Sequence, residues 1–185
     1  MRRSGVLLPV TSLPSRFGIG TFSKEAYAFV DFLKEAGQKL WQILPLGPTG
    51  YGDSPYQAFS TFAGNPYLID LEELIENGWL TEEECENTDW GGSKSYVDYE
   101  KMYQGRFPLL RKAYHNSHIA ENAEFIAFCE ENDWWLSDYA LFMAIKDSQG
   151  GASFLEWDAP LKLREPEAIR RCRHELSDEI CFWQF

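Results

Sequence analysis

Apolar positions along this chain follow two rhythms. Near the amino terminus they form short unbroken runs, and after about Asp70 they recur at helical spacing. Gly5-Val6-Leu7-Leu8-Pro9-Val10 is the first run, bounded by turn residues, and it predicts a buried strand. A loop follows, with Thr11-Ser12-Leu13-Pro14-Ser15 and then Gly18-Ile19-Gly20. Ser23 can cap a helix whose first turn holds Glu25, where the helix dipole favours a carboxylate. Ala26, Phe29, Val30 and Leu33 then mark one helical face, and Gly37 stands where a helix stops. Leu40-Trp41-Gln42-Ile43-Leu44-Pro45-Leu46 predicts a second buried strand. Strand, helix, strand is a βαβ unit, which sets its strands parallel.

Beyond Asp70 every predicted element is a helix. Leu71, Leu74 and Ile75 give a short one ending at Gly78, and Thr81 with Glu84 fits a capping box. Residues 87–95 are polar with two glycines and predict a surface loop. Tyr103, Phe107, Leu110 and Tyr114 are spaced for a helix that Pro108 must kink or divide. Residues 122–131 predict another helix. Residues 134–146 are apolar nearly all round, which predicts a helix buried on most sides and ended by Gly150-Gly151. Pro166 suits the first turn of a further helix, and residues 178–185 form a last segment ending in exposed aromatics.

Two strands followed by helices predict an α/β chain that is mainly helical. A closed eight-stranded parallel barrel takes about 250 residues, and this chain has 185. The pattern is that of the beginning of a larger α/β fold, with its first βαβ part in residues 1–70. Residues 71–185 read as a helical insertion after the second strand.

Loops leaving the carboxy-terminal ends of parallel strands are the usual ligand sites. The loop after the second strand contains Gly50-Tyr51-Gly52-Asp53-Ser54-Pro55-Tyr56-Gln57-Ala58-Phe59. Glycine and proline keep it out of a helix, and it does not alternate like a strand. Asp53 and Ser54 before Pro55 are also ordinary turn chemistry. Tyr56, Phe59 and Phe62 could equally pack the loop onto its scaffold.

Charge narrows the partners. A formal net charge of -12 disfavours nucleic acid and anionic membranes and leaves neutral ligands unaffected. Seven Trp, nine Tyr and thirteen Phe offer flat apolar faces, which suit sugars as well as a core. Cys85, Cys129, Cys172 and Cys181 lack CxxC spacing and read as free thiols of a reducing compartment. No run reaches membrane-spanning length, and the apolar run after Met1-Arg2-Arg3 is too short for a signal peptide. The expected location is the cytoplasm. His115 and His118 find no third ligand at zinc spacing.

The segments GVLLPVTSLPS, GIG and LWQILPLGPTGYGDSPYQAFSTFAGNPYLIDL resemble the amino-terminal part of the 4-α-glucanotransferases, also called amylomaltases or disproportionating enzymes. WWLSDYALFMAIK and FLEWDAPLKLR are similar to the same family. The resemblance implies a (β/α)8 barrel with helical insertions that transfers α-1,4-glucan segments between maltooligosaccharides with anomeric retention. It makes this chain an incomplete (β/α)8 barrel start: residues 1–70 are the first βαβ part with a substrate loop, and residues 71–185 are a helical insertion and a helix leading toward the third barrel strand. It implies no metal and no organic cofactor. An Asp nucleophile and a Glu acid/base would form and resolve a glycosyl-enzyme.

In the family those carboxylates lie on later barrel strands, so no residue of this chain is assigned a catalytic role. The resemblance implies that Tyr56 stacks on the sugar at the cleavage point. It implies that Asp53, Ser54 and Gln57 bind sugar hydroxyls or brace the loop, and that Tyr51 and Tyr99 offer a second stacking surface. The expected partners are maltooligosaccharides or α-1,4-glucan, with either the carboxy-terminal part of the barrel or a second copy of the chain. A fragment, a truncated gene and a chain completed by a second polypeptide all fit this pattern. The alternatives to an enzyme part are an inactive fragment, a weak glucan-binding module or a related α-glucan hydrolase.

Overall fold

The computed structural model describes residues 2–50, 52–93 and 95–185. The chain divides into two compact units, Met1–Ser117 and His118–Phe185.

The first unit opens with β1 (Gly5–Leu7), α1 (Lys24–Glu35) and β2 (Leu40–Gln42). The strands pair in parallel, Gly5 opposite Leu40 and Leu7 opposite Gln42. Backbone bonds from Leu8 to the Gln42 carbonyl, 3.0 Å, and from Lys39 to the Ser4 carbonyl, 2.9 Å, extend the ladder at each end. The Ser23 side chain accepts from the Glu25 amide, as its position before the apolar face predicts. At the other end Gly37 takes φ 71°, a left-handed conformation that glycine adopts without steric cost.

α1 docks on the strands through Ala26 and Phe29. The Phe29 ring meets Trp41 edge-on at 5.0 Å between centroids. The Trp41 indole N–H also donates to the Leu8 carbonyl at 2.8 Å, so one side chain joins both strands and the helix. Val10, Leu13 and Ala26 are the buried centre of this cluster.

Two expectations about these strands are corrected. Both are shorter than their apolar runs, with Val10 held in a short 3-10 turn (Val10–Ser12). Neither is buried: Leu7 is 56% exposed, and Val6, Leu40 and Ile43 are exposed too. Among the described residues the sheet has two strands, so each lacks a second neighbour to cover its apolar side chains. Val30, placed by spacing on the buried face of α1, is exposed as well.

Three helices complete the unit: α2 (Leu71–Glu76), α3 (Glu82–Glu86) and α4 (Tyr99–Ser117). Asp70 caps α2 by accepting from the Glu72 amide at 3.2 Å. Thr81 and Glu84 form the expected reciprocal box at the start of α3. α4 runs undivided through Pro108, contrary to a break there. Its buried side carries Met102, Arg106, Leu109, Leu110 and Ala113, and this packing holds the helix together despite one lost backbone donor. The same rotation leaves Tyr103 exposed.

The second unit holds α5 (Ala123–Glu131), α6 (Asp133–Ser148), α7 (Ala159–Lys162), α8 (Pro166–Glu175) and α9 (Ser177–Gln184). Its core gathers Leu141, Ile145, Trp157, Leu161, Ala168 and Cys172. The Trp183 indole N–H donates to Asp147 at 3.0 Å and ties α9 to α6. α6 has one exposed end, with Trp134 68% accessible, so it is less enclosed than its composition predicts. Conversely Phe182 is buried, not an exposed terminal aromatic.

Candidate glucan site

The loops after β1 and β2 meet the start of α4 around a small pocket of about 110 Å³. Thr11 comes from the first loop, Thr49, Asp53 and Pro55 from the second, Asn65 and Tyr67 from the segment before α2, and Tyr99 from α4. Each is set in place by local chemistry. Thr49 and Ala58 form an isolated antiparallel bridge that closes the second loop on itself. Within it the Asp53 amide donates to the Gly50 carbonyl at 3.1 Å, a tight turn with Asp53 at φ 51°. Aspartate tolerates that left-handed region better than most residues. The Thr49 hydroxyl donates to the Asp53 carboxylate at 3.3 Å and steadies it at the pocket wall.

Asn65 anchors the next segment. Its amide donates to the Leu46 carbonyl at 2.8 Å, and its side chain accepts from the Tyr67 amide at 2.9 Å. This turns Tyr67 inward, where it is 8% exposed. Its ring meets Tyr99 at 6.1 Å and Phe107 at 6.2 Å. Burial, then the Asp53 carboxylate, push the Tyr67 phenol up to about 12. The same two causes raise Tyr99. Both phenols therefore stay protonated at neutral pH and can donate as well as accept hydrogen bonds.

A second, open groove of about 1290 Å³ runs alongside. It is formed by the Thr11–Glu25 stretch, Asp70, Trp90, Val97 and Tyr99. Gly20 permits this stretch to fold back, because a Cβ there would collide with the Val10 carbonyl. Tyr99 lines both the pocket and the groove.

The residues singled out in the sequence fall into three groups. Asp53 and Tyr99 come together at the pocket. Ser54 and Gln57 lie on the same loop, where the Gln57 amide donates to the Ser54 carbonyl at 3.0 Å in a turn around Pro55. Tyr56 projects from that turn and is 73% exposed, a ring available to a ligand rather than spent on packing. Tyr51 lies outside the described residues. Tyr67, Thr49 and Asn65 were not singled out. The Asn-Pro-Tyr run held a turn signal, but nothing in the spacing tells that its tyrosine turns toward Asp53. Among the described residues, no group of three or more His, Cys, Asp and Glu side chains is arranged to hold a metal.

An acidic and aromatic pocket thus lies at the carboxy-terminal ends of two parallel strands, where α/β chains usually place their ligand sites. The family model of 4-alpha-glucanotransferases matches residues 8–185, and the chain belongs to that family. The 4-alpha-glucanotransferase of Thermus thermophilus is 47% identical over the whole chain, which spans 37% of that relative. The Clostridium butyricum 4-alpha-glucanotransferase is 46% identical over 95% of the chain and 36% of its own length. Among solved structures, an amylomaltase from Streptococcus agalactiae in complex with acarbose superposes with a TM-score of 0.93 at 45% identity. That comparison covers all of this chain and 38% of the amylomaltase. The chain therefore corresponds to the amino-terminal portion, somewhat over a third, of its relatives. Its two parallel strands are the start of the family's barrel.

Proposed function

We propose that this chain is the donor-side portion of an enzyme that transfers α-1,4-glucan segments between maltooligosaccharides by a retaining double displacement. The observation that carries the reading is the Asp53–Tyr67–Tyr99 pocket beside the exposed Tyr56, in a chain of this family. Tyr56 stacks on the apolar face of a pyranose next to the bond that breaks. Asp53, Ser54 and Gln57 hold sugar hydroxyls or brace the loop that carries Tyr56, and Tyr51 and Tyr99 add a farther stacking surface. The nucleophile and the acid/base come from outside these residues, and the chemistry needs neither a metal nor an organic cofactor.

Residues 1–70 act as the substrate-bearing barrel start and residues 71–185 as the insertion that leads toward the next strand. The partners are a neutral α-1,4-glucan and the carboxy-terminal part of the barrel, or a second copy of the chain in its place. An acidic surface and four free thiols support a cytoplasmic location, and no described helix is long and apolar enough to cross a membrane.

Incubation with maltotriose tests the reading. The 185-residue chain alone yields no products, and the chain with the downstream family sequence restored yields glucose together with longer maltooligosaccharides. Products from the chain alone would place the catalytic carboxylates within it. Only shorter sugars from the restored protein would make it a hydrolase.

A further inference from the structure

Arg106 is fully buried in α4, at 0% exposure. Its guanidinium donates through Nη2 to the Ile69 carbonyl. Nε and Nη1 have no hydrogen-bond partner among the described residues. Burial pulls its pKa down to about 10, and the charged neighbour that opposes this is the Asp70 carboxylate. A buried cation with one hydrogen bond is a poor stabiliser, because desolvation outweighs what it gains. A long apolar side chain would fill the same space without that penalty.

What the guanidinium adds is a fixed link between two elements. Ile69 ends the 3-10 turn (Pro66–Leu68) that begins at Asn65 and carries Tyr67. Asp70 follows it, caps α2, and accepts from the Thr21 hydroxyl at 3.4 Å at the edge of the open groove. Arg106 sits on the side of α4 that also presents Met102 and Tyr99, about one and two turns upstream. Clamping Ile69 thus holds the Tyr67 segment against the helix that delivers Tyr99.

We propose that Arg106 is a positioning residue that sets the Tyr67–Tyr99 spacing at the pocket. The consequence for glucan binding rests on the function proposed above, and the spacing itself does not. Replacing Arg106 by Met keeps the length and removes the clamp. Replacing it by Lys keeps a donor for Ile69 without the planar fork.

The test labels the chain with 3-fluorotyrosine and records fluorine NMR spectra of the parent, Arg106→Met and Arg106→Lys, with thermal melts, and titrates maltoheptaose into the same three variants with the downstream sequence restored. In Arg106→Met the Tyr67 and Tyr99 signals shift without ligand while Tyr139 stays in place, and the melting temperature stays within a few degrees of the parent. Arg106→Lys restores the signals part of the way. Maltoheptaose affinity falls at least tenfold in Arg106→Met and is partly recovered in Arg106→Lys. Unmoved Tyr67 and Tyr99 signals in Arg106→Met overturn the proposal. So does a large loss of melting temperature in both variants, since the guanidinium is then a structural prop. A parent that, with the downstream sequence restored, fails to bind maltoheptaose refutes the glucan reading, and the ligand-free signals still decide the role of Arg106.

Discussion

Tyr67 and Tyr99 face each other at 6.1 Å between ring centroids, one on the turn before α2 and the other at the start of α4. They are 32 residues apart in sequence, and both line the pocket together with Asp53. Tyr67 is the anchored member, buried and packed on Phe107. Tyr99 is half-buried and opens onto the groove as well. Substituting the first should disturb the fold, and substituting the second should disturb mainly the site. Tyr67→Ala should cost about 3 kcal/mol, as for other buried aromatic truncations, and Tyr99→Ala clearly less. Urea unfolding of the two variants checks the order.

Tyr56 stands free of the core, so its removal should separate stability from function. Tyr56→Ala should unfold within about 0.5 kcal/mol of the parent. In the protein with downstream sequence restored, the same change should lower transfer activity at least tenfold. An unchanged rate would mean that the exposed ring is not the sugar platform.

Alkaline pH should destabilise the first unit. Tyr67 ionises near 12 in the folded chain against an ordinary value of 10.0. The folded state therefore holds a proton that the unfolded state releases between those values, and stability falls as pH rises through the window. The full contribution is present below pH 10 and is lost toward pH 12, on the order of 2 kcal/mol. Tyr139, also raised to about 12 by burial, acts the same way in the second unit. Unfolding free energies measured from pH 8 to 11.5 should show the decline, and Tyr67→Phe should flatten part of it.

Trp41 ties β1, β2 and α1 through one hydrogen bond and one edge-on ring contact. Trp41→Phe removes the bond to the Leu8 carbonyl and should cost about 1 kcal/mol. Chemical denaturation followed by circular dichroism measures it.

The uncovered strand residues predict association. Val6, Leu7, Leu40 and Ile43 leave an apolar surface along β1 and β2. Sedimentation of the 185-residue chain should show mass rising with concentration. Leu7→Lys should suppress that rise by placing a charge in the patch. A chain that stays monomeric at high concentration would contradict this.

Local elements were legible in the sequence because their causes are local. Ser23, Asn122 and the Thr81–Glu84 pair cap their helices through side chains within three residues of the amides they satisfy. Gly37 ends α1 by a conformation other residues avoid. The βαβ order followed from two apolar runs around one helical face, and the loop after β2 was marked by its own turn residues. The family was legible as well, because its motifs are long.

The tertiary structure alone decided the rest, since burial and side-chain direction depend on partners far along the chain. Leu7 and Leu40 read as buried from their runs, yet the two-stranded sheet leaves them exposed. Tyr67 carried no sign of being a pocket residue until Asn65 turned it inward and α4 brought Tyr99 against it. Arg106 looked like any charged helix residue, and only the rotation of α4 placed its guanidinium in the interior on the Ile69 carbonyl. Short-range hydrogen bonds and steric limits fix the elements, while the site is a product of their packing, which no local pattern encodes.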